Sequence, residues 1–218
     1  MKKYFLFSVV LLSAEFVWAQ PGITKYPEPE FSNEVYYLKK DSVNVVIRLE
    51  KVSSKMETKA KLGGMAGSES GFALDGEKSS VRFGGGNNLS FVISTGAAAK
   101  SSSSLSDSIM KASGVDPSTM SGMMGSMNDP ATTITLYKVE TGNGKRKILM
   151  QKNGGAMPFA SKKTQSSDKY MFSVKKIREG YWELVIDKPL SRGEYAFSKM
   201  DMMSMASMGT LLFAFGID

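Results

Sequence analysis

The chain has 218 residues and a formal net charge of +7, and it contains neither cysteine nor histidine. The absence of these residue types excludes disulfides, Ser-His-Asp and Cys-His catalysis, and zinc sites built from cysteine or histidine. Catalysis would have to use carboxylates, lysine, tyrosine, serine or threonine, or an oxygen-ligated metal, and methionine is the only sulfur-containing residue.

The first nineteen residues have the features of an export signal. Two lysines precede an apolar stretch over residues 4–14, and small residues lead to Ala19. We predict a signal peptide over residues 1–19, a mature protein that begins at Gln20, and a periplasmic or extracellular location. No later segment approaches twenty apolar residues, so we expect no integral membrane span after the signal is removed.

The remaining residues predict a single all-β domain. Residues 20–33 are rich in proline and charge and are expected to form an irregular lead-in, so the domain is expected to span residues 34–218. Alternation of apolar and polar residues marks short strands throughout that range. The alternating rows are Val43, Val45, Ile47 and Leu49; Val81 and Phe83; Leu89, Phe91 and Ile93; Ile134 and Leu136; Arg146, Ile148 and Met150; Tyr170, Phe172 and Val174; Trp182, Leu184 and Ile186; Tyr195 and Phe197; and Leu211, Phe213, Phe215 and Ile217.

Turn residues between these rows suggest how the strands are joined. Residues 141–144 read Thr-Gly-Asn-Gly between two rows and predict a β-hairpin. Eight to ten strands without a long amphipathic helix predict an antiparallel β-sandwich, immunoglobulin-like or similar. The turn that precedes Tyr195 is typical of such sandwiches, in which the tyrosine hydroxyl bonds to nearby backbone.

Two methionine-rich segments interrupt the pattern. Residues 97–128 are dominated by serine, glycine, alanine and methionine and predict a partly flexible insertion in the sandwich; residues 200–208 form a second cluster. Thioethers prefer Cu(I), so one interpretation is a Cu(I) or Ag(I) site, and such stretches resemble those of bacterial envelope copper-handling proteins. Its candidate ligands are Met120, Met123, Met124, Met127, Met200, Met202, Met203 and Met205. The alternative is packing, because the first four methionines share the spacing of one helical face.

Patterns that would indicate catalysis are weak. Glu179 and Glu183 form the nearest pair of carboxylates, and such pairs hydrolyse glycosides, but strand alternation places Glu183 on the solvent side. Ser-x-x-Lys occurs three times, as expected by chance in a chain rich in both residues. These are Ser108 with Lys111, Ser166 with Lys169, and Ser173 with Lys176. We therefore predict no enzyme, no catalytic residue and no cofactor.

Basic residues cluster beside the predicted turns. Gathered on one face they would meet anionic glycans or lipid, whereas beside turns such charges keep strand ends solvated. They are Lys145, Arg146, Lys147, Lys162, Lys163, Lys175, Lys176 and Arg178. No aromatic residues interrupt a continuous basic stripe, so we expect no nucleic-acid partner.

Several strand and turn segments resemble a group of small exported proteins from Bacteroides-type bacteria. The segments are residues 80–83, 89–93, 134–138, 145–148, 193–197 and 213–218. The resemblance covers residues 72–218 apart from the methionine-rich insertion, and it implies a periplasmic or surface β domain with no assigned activity and no functional site. The function expected from the sequence is a non-enzymatic module that binds or supports an envelope component, protein or glycan. Cu(I) or Ag(I) handling and a carboxylate-dependent hydrolase are the alternatives.

Overall fold

The computed structural model describes residues 26–61, 67–86, 88–95, 129–154, 165–199 and 209–218. Strands make up most of these residues, and the helix α1 (Pro130–Thr133) is a single turn. The strands are β1 (Val35–Lys40), β2 (Asn44–Arg48), β3 (Glu50–Ala60), β4 (Gly67–Asp75), β5 (Arg82–Phe83), β6 (Ser90–Ser94), β7 (Ile134–Gly142), β8 (Lys145–Gly154), β9 (Lys169–Tyr170), β10 (Phe172–Arg178), β11 (Tyr181–Ile186), β12 (Gly193–Lys199) and β13 (Gly209–Ile217). Within these residues, no helix has both the length and the apolar character required to cross a membrane.

Two sheets pack face to face, which confirms the predicted all-β sandwich. The smaller sheet has the strand order β10-β11-β6-β1-β2, and all its neighbours are antiparallel. The larger sheet has the order β12-β13-β3-β4-β8-β7-β9, with β5 beside β13. The β5–β13 pair is parallel, so the sandwich is not antiparallel throughout.

The larger sheet closes on itself, because β12 pairs with both β13 and β7. Closure requires β3 and β7 to change neighbours along their length. Residues 50–55 of β3 pair with β13 and residues 56–60 with β4, while residues 134–139 of β7 pair with β12 and residues 140–142 with β8. Side chains from all six strands fill this closed ring: Val52, Phe72, Leu74, Tyr137, Val139, Ile148, Met150, Ala196, Leu212 and Ala214.

Strands β7, β12 and β13 are buried on both faces. One face of β12 and β13 is aromatic and packs against the smaller sheet, where the Phe91 ring lies 4.9 Å from Phe197 and 5.0 Å from Phe215 between centroids. The opposite face places Ala196 and Ala214 in the ring. Small residues fit there because the interior of a closed six-stranded ring is narrow.

Residues 26–33, which we call the N-terminal cover, lie over the outer face of the smaller sheet. The Tyr181 hydroxyl donates to the Pro27 carbonyl at 2.7 Å, and the Tyr26 ring meets the Tyr181 ring edge-on at 6.3 Å. The Phe31 amide donates to the Tyr36 hydroxyl at 3.1 Å. The described part of the predicted lead-in is therefore irregular in conformation but packed against the sheet.

Two local predictions are confirmed in detail. Asn143 and Gly144 join β7 to β8 with φ values of 54° and 74°, and both positions of a type I′ hairpin turn require positive φ. The Tyr195 hydroxyl donates to the Ser191 carbonyl at 2.8 Å, as expected for a tyrosine beside a turn in a sandwich.

Strand β2 shows the predicted alternation of its residues between two faces, but the apolar row is not buried along its whole length. Leu49 is 3% exposed, whereas Ile47, Val45 and Val43 are 37%, 47% and 73% exposed. The exposure rises because the row extends along the edge of the smaller sheet, away from Leu49, where the chain crosses into β3 of the larger sheet.

Candidate functional site

The eight candidate metal ligands lie outside the described residues, so their geometry is not part of this structure. These residues are Met120, Met123, Met124, Met127, Met200, Met202, Met203 and Met205. The described residues on either side of the two segments do show where each segment joins the fold. The chain leaves the described part at Thr95 and re-enters at Asp129; the second segment connects Lys199 to Gly209.

All four of these junctions lie at one end of the sandwich, which we call the segment end. The Asn33 amide donates to the Ser94 carbonyl at 2.6 Å, directly before Thr95. The Lys199 ammonium donates to the Asn33 side-chain oxygen at 2.7 Å, and Lys199 is the register partner of Ile134, which follows α1. Chain connectivity therefore joins both methionine-rich segments to the same end of the fold.

The opposite end of the ring is closed by charged side chains, and we call it the charged end. Arg146 is 1% exposed and lies in the ring row of β8. Its guanidinium makes a two-pronged pair with Glu50, at 3.0 Å from Nη1 and 2.6 Å from Nη2, and donates to the carbonyls of Gly76 at 3.1 Å and Asp75 at 3.0 Å. Each of the three guanidinium nitrogens of this buried arginine therefore donates to at least one oxygen.

A second arginine completes the charged end. Arg82 donates to buried Glu194 and to Asp218, the latter at 2.8 Å. The Ser79 hydroxyl donates to Glu50 at 2.6 Å, and the Ser79 amide donates to Glu194 at 2.8 Å, so this residue links the two ion pairs. Burial alone would raise the pKa of Glu50, but the hydrogen bonds from Arg146 and Ser79 outweigh it and lower that pKa.

The structure corrects the expectation that Arg146 is one of a set of exposed charges beside turns. Its alternation with Lys147 placed it on the face shared with Ile148, and that face is the interior of the ring. Lys175, Lys176 and Arg178 do lie exposed, along edge strand β10. Lys162 and Lys163 lie outside the described residues.

Glu183 occupies the expected face of β11 but is buried, so its predicted solvent exposure is wrong. It is 1% exposed because the N-terminal cover lies over it. Tyr26 donates to its carboxylate at 2.9 Å, and the Lys40 ammonium lies 2.5 Å away. Burial acts to raise the pKa of Glu183, yet its contacts with Lys40 and Tyr26 lower it overall.

The structure does not bring Glu179 and Glu183 together as a catalytic pair. Glu179 lies in the β10–β11 turn with 73% of its side chain exposed and pairs with Lys176 at 2.6 Å. A general acid in such a pair needs a raised pKa, and that of Glu183 is lowered. This arrangement does not favour the hydrolase alternative.

The described pair Ser173 and Lys176 also makes separate contacts. Ser173 and Lys176 are three residues apart on β10, so their side chains point to opposite faces of the strand. The Ser173 hydroxyl donates to Asp187 at 2.7 Å, while Lys176 pairs with Glu179. Ser108 and Lys111 lie outside the described residues.

A shallow, open depression lies on the outer face of β3, β4 and β8. It adjoins the irregularity in β4–β8 pairing at Gly71, where a side chain would stand 2.2 Å from the Ile148 carbonyl. Its charges are already paired, with Glu69 3.2 Å from Lys147. Across the described ranges, no group of three or more acidic residues is placed to hold a metal ion.

Comparison with known proteins does not add a family to this description. No protein-family model matches the sequence, and no curated protein and no solved structure matches the chain.

Proposed function

We propose that the protein is an exported, non-enzymatic β-sandwich that binds or supports another component of the bacterial envelope, a protein or a glycan. The export signal predicted over residues 1–19 supports the location. The all-β sandwich supports a binding or structural role, because such folds present edges and end loops on a rigid scaffold.

The observation that carries the proposal is the use made of the buried carboxylates. Glu34, Glu183 and Glu194 are buried and Glu50 is partly buried, and each is neutralised by at least one lysine or arginine. The pKa values of Glu34, Glu50 and Glu183 are lowered by these partners despite burial. Carboxylates held in this way stabilise a fold and are poor proton donors.

Capture from the native envelope tests the proposal. A bait of residues 20–218 carrying a photoactivatable cross-linker is mixed with solubilised envelope, and the cross-linked products are identified by mass spectrometry. We expect one component in near-stoichiometric amount. The same bait after thermal denaturation measures non-specific capture; equal capture by the folded and the denatured bait would contradict the proposal.

Export is checked separately on the protein isolated from cells. Amino-terminal sequencing should begin at Gln20. Recovery of the uncut precursor as the predominant form would contradict the proposed location.

Cu(I) or Ag(I) handling is the second candidate, and the segment end favours it. Because both methionine-rich segments join the fold at one end, soft ligands from both could contribute to one ion. Titration of Cu(I) against a chromophoric competitor under reducing conditions tests this. We expect stoichiometric binding that is lost when the eight candidate methionines are changed to leucine.

A matched control separates this site from methionine in general. Met56 and Met171 lie outside both segments and are 41% and 79% exposed. Changing these two to leucine should leave Cu(I) binding unchanged. Binding that survives in the eight-leucine variant would defeat the metal candidate and support packing.

A further inference from the structure

An exposed apolar row begins in the turn directly before edge strand β2 and continues along it, and we call it the edge row: Val43, Val45 and Ile47. In the described part of the chain, β1 is the neighbour of β2 on one side and no strand pairs with its other side. Half of the backbone N–H and C=O groups of an edge strand point away from the sheet and can pair with an added strand.

The other edge of the same sheet is built differently. Strand β10 carries Lys175, Lys176 and Arg178, and exposed positive charge is a common means of blocking edge pairing. Strand β2 carries one charged side chain, Arg48 at its end, which is paired with Glu34, and residues 43–47 are uncharged. The contrast within one sheet indicates that β10 is protected against strand addition and that β2 is not.

Strand β2 is nevertheless held firmly in place. Val46 points to the opposite face from the edge row and packs with Leu38 and the apolar cluster under the N-terminal cover. Leu49, the residue directly after β2, packs in the sandwich core. An added strand would therefore meet a preformed edge and cover a row whose exposure reaches 73% at Val43.

The charges at the ends of β2 indicate the chemistry of the partner. Arg48 and Lys51 share one carboxylate, Glu34, each at 2.8 Å, and their side chains are 47% and 40% exposed. At the other end, Lys39 pairs with exposed Asp41, while Lys40 neutralises buried Glu183. At ion-pair distance, two exposed cations thus share one carboxylate, and Glu30 acts on Arg48 from further away, on a chain whose net charge is +7.

We propose that β2 is a docking edge for an extended segment of a partner protein that alternates apolar and polar residues and carries carboxylates at its flanks. Apolar side chains of the added strand would cover the edge row, and its carboxylates would pair with Arg48 and Lys51. A second copy of this chain fits less well, because it would bring the same positive charge to the interface. This inference rests on the proposed binding function and names its surface.

A synthetic probe tests the proposal. The probe is a fluorescein-labelled peptide of alternating valine and threonine with two glutamates at each end, and binding is followed by fluorescence anisotropy. We expect saturable binding that weakens with salt and is weakened about tenfold when lysines replace the glutamates. A peptide with a central proline should not bind, because proline lacks the N–H needed for strand pairing.

Two matched variants test which edge of the smaller sheet binds the probe. Val45→Lys adds a charge to β2, and Ser173→Lys adds the same charge to β10; both positions are exposed, and thermal melts verify that both variants are folded. We expect Val45→Lys to weaken probe binding at least about tenfold and Ser173→Lys to change it less than about twofold.

The outcomes that overturn the proposal are distinct. Equal weakening by the two variants, equal binding of the lysine-flanked peptide, or no probe binding by the unaltered protein would each overturn it. A concentration-dependent dimer lost in Val45→Lys would assign the edge to a second copy instead.

The envelope capture experiment separates this inference from the proposed function. If Val45→Lys bait captures the same component as the unaltered bait, the docking edge is wrong and the binding function stands. If the unaltered bait captures nothing beyond its control, the proposed function fails irrespective of the peptide result.

Discussion

The guanidinium of Arg82 lies directly against the Cα of Gly216, so that a Cβ at residue 216 would stand 2.2 Å from Nη1 and 2.5 Å from Cζ. Arginine side chains ordinarily move aside, but this one is held by Glu194 and Asp218. Gly216→Ala should therefore disturb a partly buried ion pair and lower the free energy of unfolding by about 2 kcal/mol, measured by urea denaturation.

Gly142→Ala is the control for this substitution, because no atom lies within 4 Å of the position of its added Cβ. Its effect on the free energy of unfolding should stay within about 0.5 kcal/mol. In the double variant Arg82→Ala with Gly216→Ala, the cost of the glycine change should shrink, since the clashing group is gone. Strictly additive costs would show that the two residues do not interact.

The bond from the Tyr195 hydroxyl to the Ser191 carbonyl joins a fully buried side chain to the turn that starts β12. Tyr195→Phe leaves that carbonyl without this donor and should lower the free energy of unfolding by about 1–2 kcal/mol in urea denaturation. Tyr37→Phe is the control, because the Tyr37 hydroxyl makes no hydrogen bond within the described residues and its ring stacks on Phe83. A similar loss of unfolding free energy in both variants would show that the bond from Tyr195 to the turn makes no specific contribution to stability.

Stability should fall in acid because buried carboxylates have lowered pKa values. The pKa of Glu183 lies below its ordinary 4.5 in the folded protein, so its ion pair stabilises fully above about pH 4.5 and is lost as the pH falls through the folded value. Glu183→Gln should lower the melting temperature at pH 7 and flatten its decline between about pH 5 and pH 3. Glu179→Gln, at an exposed position, should leave the decline as it is. A decline that is unchanged by Glu183→Gln would contradict this assignment.

Stability should also fall in alkali. Burial is the main cause that raises the pKa values of Tyr181 and Tyr195 from 10.0 to about 12. The unfolded chain ionises these groups first, so their contribution is complete below about pH 10 and is lost as the pH rises to about 12. Urea denaturation at pH 9, 10 and 11 should show falling stability, and Tyr181→Phe should reduce the slope. Stability that is constant over this range would contradict the raised pKa values.

Regular rows of large apolar side chains predicted most of the strands, including β12 and β13, which are buried on both faces. Strands β1, β3 and β4 were not predicted, each for a physical reason. Residues 35–38 of β1 are apolar on both faces, because the sandwich core lies on one side and the N-terminal cover on the other. Residues 55–60 of β3 are exposed on both faces. Strand β4 contains two glycines and mostly polar residues before Phe72.

The charged end could not be predicted because it depends on contacts distant in sequence. Arg146 and Glu50 are 96 residues apart, and Arg82 and Glu194 are 112 apart. Alternation placed Arg146 on the apolar face of β8, which was the available signal of its burial. The sequence offered no means of identifying Glu50 or Glu194 as its partners, since ring closure through β12 and β7 brings them together.

Strands β7, β12 and β13 bound the aromatic interior of the sandwich on one face and the ring interior on the other. If one of these strands detaches, both the sandwich core and the ring interior lose part of their covering. Heating should therefore produce a single calorimetric peak, with no surviving fragment that retains half of the heat of melting. Under native conditions, amide hydrogens in these three strands should be the last to exchange with deuterium, each released only by global opening.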